Sequence, residues 1–115
     1  MIKGLHHISM IASSEKTIQF YGELGFQETF RETRAYDSVV FMDGYGMRLI
    51  IFVDPTHPPR DTNPEQLGVR NISLRVDDIN EVAGKYGCGP IKKDWKGESY
   101  CLLKDPDGLV IEFHE

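Results

Sequence analysis

Asp105-Pro106-Asp107-Gly108-Leu109-Val110-Ile111-Glu112-Phe113-His114 is a turn followed by a strand, and its reading decides the fold. Strict alternation puts Leu109, Ile111 and Phe113 on one face and Val110, Glu112 and His114 on the other. The first face belongs to a core. The second carries a carboxylate beside an apolar side chain and an imidazole. An echo of this layout stands earlier in the chain: Phe41-Met42-Asp43-Gly44-Tyr45-Gly46-Met47-Arg48-Leu49-Ile50-Ile51-Phe52 is again strand, Asp/Gly turn, strand. Aligned from the far end, Ile50 occupies the place of Glu112.

Working outward, each of these strands closes a similar series of elements. In the first half, Leu5 to Ile11 alternates as a short strand, with His7, Ser9 and Ile11 on one face and His6, Ile8 and Met10 on the other. Ser13, Ser14 and Glu15 signal a helix start. Ile18, Tyr21 and Leu24 form its apolar stripe and Gly25 its stop, which predicts a helix over about 14–24. Strands follow at Phe26 to Arg31, Ser38 to Met42 and Met47 to Val53. In the second half, Val69 to Val76 alternates Asn71, Ser73 and Arg75 against Ile72, Leu74 and Val76. Asp78 with Glu81 opens a helix whose stripe is Ile79, Val82, Ala83 and Tyr86, and Gly87 ends it. Ile91 to Trp95, Ser99 to Leu103 and Leu109 to His114 are the remaining strands. Between the halves, residues 54–67 hold four of the six prolines and almost no apolar side chains, which predicts a stiff linker.

The repeat therefore divides one domain, residues 1–115, into module one at about 1–53 and module two at about 68–115. Each module is strand, helix, strand, strand, strand. A helix covers only one face of each sheet, so pairing two modules would enclose a cleft between the uncovered faces. His7 with Ile50, and Asn71 with Glu112, are matched positions at nearly the same spacing in the two halves.

Composition narrows the function classes. With 40% hydrophobic and 27% charged residues over 115 positions, the chain suits one soluble globular domain. A net charge of -5 with no basic run argues against a nucleic-acid partner. No apolar run reaches membrane-spanning length. The first residues carry no apolar leader, so the expected compartment is the cytoplasm. Two cysteines, Cys88 and Cys101, lack Cys-x-x-Cys spacing and are expected as free thiols.

Leu5-His6-His7-Ile8-Ser9, Phe20-Tyr21-Gly22-Glu23-Leu24-Gly25-Phe26, Arg75-Val76-Asp77-Asp78-Ile79, and Asp105-Pro106-Asp107-Gly108 with Ile111-Glu112-Phe113 resemble the vicinal oxygen chelate superfamily. Glyoxalase I, the bleomycin and fosfomycin resistance proteins, methylmalonyl-CoA epimerase and extradiol dioxygenases belong to it. The resemblance implies an α+β fold of two βαβββ modules pairing into an open, barrel-like cup, commonly in homodimers. It also implies divalent-metal ligands from the first and last strand of each module. Carried over, these are His7, Ile50, Asn71 and Glu112. Face sharing with Ser9 selects His7, whereas counting back from Phe20-Tyr21 selects His6. Ile50 stands where the enzymes have a carboxylate, and Asn71 where they have a histidine.

A catalytic first-row metal usually takes three histidine or carboxylate ligands and an open position. Two such residues remain here, His7 and Glu112, with an amide that is a poor ligand. The expectation is no cofactor or a weakly bound divalent metal. The chain then reads as a small-molecule-binding protein with a degenerate metal site, whose ligand is met by Ser9, Arg48, Ile50, Asn71, Ser73 and Arg75. Its acidity suits a cationic ligand. The alternative is a metal-dependent lyase or isomerase using His7 and Glu112, with Glu112 as the catalytic base toward a carbon acid and Arg48 or Arg75 steadying the enolate. A third reading is a non-catalytic partner module, marked by an exposed apolar patch. Tyr36, Tyr45, Trp95 and Tyr100 are candidate pocket aromatics. His57 sits in the linker, which would fold over the cleft. His114, two residues past Glu112, is read as a frayed end in water.

Overall fold

The computed structural model describes residues 1–61 and 63–115; position 62, inside the expected linker, lies outside the described residues. By compactness the chain separates into unit 1, Met1–Pro59, and unit 2, Arg60–Glu115. Unit 1 runs β1 (Ile8–Ala12), α1 (Glu15–Glu23), β2 (Gln27–Thr33), β3 (Ser38–Gly44) and β4 (Met47–Val53). Unit 2 runs β5 (Asn71–Arg75), α2 (Ile79–Tyr86), β6 (Lys92–Lys93), β7 (Ser99–Lys104) and β8 (Val110–His114). Each unit holds one four-stranded sheet, ordered β1-β4-β3-β2 and β5-β8-β7-β6. The first and last strands of a unit pair in parallel, and the others are antiparallel. The fold is α+β, with two βαβββ modules.

Local chemistry explains these elements. The Ser14 side chain accepts the Lys16 N–H at 3.3 Å and caps α1, which then buries Thr17, Ile18 and Tyr21. Past its end, Gly25 takes a φ of +107°, and the Tyr45 hydroxyl donates to the Leu24 carbonyl just before it. Asp78 caps α2, and Gly87 ends it in the left-handed region at φ 67°. The Asp105 carboxylate, nearly buried, accepts the N–H groups of Asp107 at 2.9 Å and Leu109 at 3.0 Å, so the turn before β8 is closed from within.

Alternation holds in the sheets. In unit 1, Val40, Leu49 and Ile51 are fully buried with Tyr21 of α1. In unit 2, Ile111, Phe113 and Cys101 are buried, and Tyr86 of α2 stacks on Phe113 at 5.5 Å between centroids. Each such aliphatic side chain contributes roughly 1.5–3 kcal/mol of burial.

Three expectations are corrected. The first strand starts at Ile8 rather than Leu5, leaving His6 and His7 before the ladder. The strand expected over Ile91 to Trp95 shrinks to Lys92–Lys93. There the Asp94 carboxylate accepts the N–H groups of Lys96 and Glu98, both at 2.8 Å, and this turn ends the pairing. Cys88 and Cys101 are not free thiols: they are joined as a disulfide across Cα atoms 6.0 Å apart. Gly87 turns the chain back over β7, where Gly89 donates to the Leu102 carbonyl at 3.0 Å, so tertiary proximity replaces the missing sequence motif.

Candidate functional site

In unit 1, α1 covers one face of the sheet and the other is open. The β1–β4 register sets Ser9 beside Ile50, and Ile11 beside Phe52, on that open face. Ile50 is 9% exposed and offers no donor atom. Arg48 binds Asp43 through two contacts of 2.8 and 2.9 Å and lies over the Phe41 ring at 4.7 Å. This pairing with Arg48, assisted by the Thr29 hydroxyl, holds the Asp43 carboxyl below its usual range. Arg48 is thereby committed within its own hairpin. His7 is half-exposed, with its Nδ1 2.7 Å from Nδ1 of His6, so one ring must donate and the other accept.

Beyond Ser9, the same unit opens a hollow of about 530 Å³ lined by Ser9, Ile11, Tyr36, Phe52, Asp54 and His57, among others. Its rim is built by charge pairing. The Arg34 guanidinium donates twice to Asp37 at 2.6 Å and lies 4.6 Å from the Tyr36 ring centre. Arg34 keeps the Asp37 carboxyl below the usual range. Asp54 accepts the backbone N–H of Thr56 at 2.9 Å and its hydroxyl at 2.7 Å, and His57 Nδ1 stands 3.4 Å away. The two bonds from Thr56, and then His57, lower the Asp54 carboxyl. Tyr36 and His57 were thus candidates in the sequence, while Phe52, Asp37 and Asp54 were not. Phe52 carried a signal, since it shares a face with Ser9.

In unit 2 the open face carries Asn71, Ser73, Arg75, Glu112 and His114. Ser73 lies beside Glu112 and donates its hydroxyl at 2.7 Å. Asn71 is beside Val110, and Arg75 beside His114. Glu112 is half-buried. His114 is not a frayed end. Its Nε2 meets Asp94 Oδ2 at 2.9 Å, its Nδ1 meets the Glu115 carbonyl at 3.1 Å, and its ring stacks parallel to Tyr100. The Glu115 carbonyl, and then Asp94, raise the His114 pKa above its ordinary value. Burial pushes Asp94 up, but the Glu98 and Lys96 N–H groups and His114 outweigh it and leave that carboxyl lowered.

The family model that matches residues 4–113 is described as the Glyoxalase/Bleomycin resistance protein/Dioxygenase superfamily. The chain belongs to that superfamily. It is 34% identical over 128 residues to the Bacillus subtilis protein YwkD, covering 100% of this chain and 98% of that one. Among solved structures, a glyoxalase family protein from Enterococcus faecalis matches with a TM-score of 0.90 and 28% identity, covering 98% of each chain. The fold is shared with a variant of FosX, a fosfomycin resistance protein from Listeria monocytogenes solved with Mn(II). That match has a TM-score of 0.77 and 17% identity over 99% of this chain and 93% of that one.

Superfamily membership makes the metal positions a question of donor chemistry. Of the four matched positions, His7 and Glu112 present an imidazole and a carboxylate. Ile50 is a buried hydrocarbon and Asn71 a neutral amide. Each unit thus keeps one side chain of ligand type at these positions, His7 in unit 1 and Glu112 in unit 2.

Proposed function

We propose that this superfamily member binds a small organic molecule without metal chemistry at the inherited positions His7, Ile50, Asn71 and Glu112, and that it works as a homodimer. The observation that carries the reading is the hollow of about 530 Å³ in unit 1, within the size range of small-molecule sites. It combines apolar walls, Ile11 and Phe52, with the aromatic Tyr36, the Ser9 hydroxyl and the Asp54 carboxylate. The Asp54 carboxylate and a net charge of -5 favour a ligand with an apolar body and a cationic group. Ser9 is the point where the hollow meets the ligand set read from the sequence, and Ile50 stands beside it in the strand register as a further proposed contact.

A thermal-shift screen of the protein against small amines, metabolites and antibiotics tests this. A ligand present at 100 times its Kd stabilises the folded state by about 2.7 kcal/mol, a shift on the order of 10 °C for a chain of this size. Tyr36→Ala and Asp54→Asn are each expected to weaken the binding of a hit at least tenfold, because Tyr36 is exposed and Asp54 is the carboxylate without a guanidinium partner. Hits indifferent to both substitutions would remove the hollow as the site.

A further inference from the structure

His114, Asp94 and Glu98 form a group apart from the superfamily's metal positions, and all three lie within unit 2. One ligand atom from each falls within 4.8 Å of the others. We propose that this triad is a binding site for a first-row divalent metal ion, with zinc or cobalt as its probe. An imidazole with two carboxylates supplies the three borderline and hard donors that such ions take, leaving further positions for water.

The surrounding bonds orient these donors. Asp94 Oδ1 is held by the N–H groups of Lys96 and Glu98, which leaves Oδ2 turned toward the imidazole at 2.9 Å. His114 Nδ1 faces the Glu115 carbonyl at 3.1 Å, which fixes the ring and makes Nε2, the nitrogen turned toward Asp94, the ligating atom. Stacking on Tyr100 restrains the same ring. Glu98 is the most exposed member: its Oε2 stands 3.6 Å from Nδ1, so its side chain must turn toward Nε2 to share an ion with Asp94.

Access and charge are compatible with an ion. A hollow of about 240 Å³ opens beside the triad, lined by Ser73, Arg75, Glu98, His114 and Glu115. Lys93, on the adjoining strand, donates to Ser99 at 2.6 Å and so does not occupy the carboxylates. Arg75 is the cation at the rim and lowers the affinity without contributing a donor.

Trp95, the only tryptophan, lies next to Asp94 and is almost fully exposed, which makes it a local reporter. The test titrates untagged, chelator-treated protein with Co²⁺ while Trp95 emission is followed, and with Zn²⁺ by calorimetry. One equivalent is expected to bind. Glu98→Gln, which keeps the shape of an exposed side chain, is expected to weaken binding at least tenfold, and His114→Gln to abolish it. His7→Gln and Glu112→Gln are expected to leave it unchanged. Binding that survives both triad substitutions, that is lost in His7→Gln or Glu112→Gln, or that is absent at millimolar metal overturns the proposal.

Discussion

At the scale of single residues, the open faces are governed by which polar atoms find partners inside their own unit. Glu112 is held by the Ser73 hydroxyl, and a glutamine amide oxygen accepts the same bond. Glu112→Gln is therefore expected to shift the melting temperature by no more than about 2 °C, while Ser73→Ala costs about 1 kcal/mol, the net worth of one half-exposed hydrogen bond. Circular dichroism melts of both variants check this, and a collapse of the Glu112→Gln fold would show a buried role the geometry lacks. Asp37 makes a pH prediction. Its pKa is lowered by Arg34, so the folded value lies below the unfolded one. The stabilisation is present above the unfolded carboxylate value and is lost as pH falls through the folded value. Denaturation of Asp37→Asn beside the parent is expected to show a gap at pH 7 that closes as the pH falls through the folded carboxylate's lowered range. A gap that persists in acid would assign the loss to packing.

Gly25 is a residue whose absent side chain matters. It has a φ of +107°, and an added Cβ would collide with the Tyr45 hydroxyl that closes the end of α1. Gly25→Ala is expected to destabilise the chain by roughly 2 kcal/mol or more, read as a urea midpoint shift without a change in slope.

At the scale of elements, the caps, glycine stops and β8 turn were legible because each depends on neighbours in sequence. Ser14, Asp78, Gly87 and Asp105 act where their position in the chain says they should. What was not legible is the shortened β6. Its residues have strand character, but the Asx turn at Asp94 and the preceding Gly89-Pro90 compete for the same backbone groups. The disulfide belongs to the same scale. Cys88 and Cys101 are separated by 13 positions, and a cross-link over such a loop contributes about 3 kcal/mol in the chain-entropy account. Reductant is thus expected to lower the unfolding midpoint, and Cys88→Ser to lower it in the absence of reductant. Identical midpoints with and without reductant would mean that the bond contributes nothing to stability.

At the scale of the whole molecule, the duplication is the dominant fact. Two units of the same order, each with its first and last strands parallel, put Ile50 and Glu112 at corresponding points of their last strands. Sedimentation velocity is expected to return twice the chain mass, and a monomer at micromolar concentration would remove the homodimer from the proposed function. Among the described residues no helix is long and apolar enough to cross a membrane.

The amino-acid order alone determined the repeat, the alternation of faces and the helix limits, since all of these follow from residue type and local spacing. Only the tertiary structure decided that Arg48 is bound to Asp43, that Cys88 meets Cys101, that Tyr36, Phe52 and Asp54 line one hollow, and that His114 lies against Asp94 and Glu98. The physical reason is reach. Side chains far apart in the chain interact over a few ångströms, and those distances are set by strand register and turn geometry rather than by separation along the sequence.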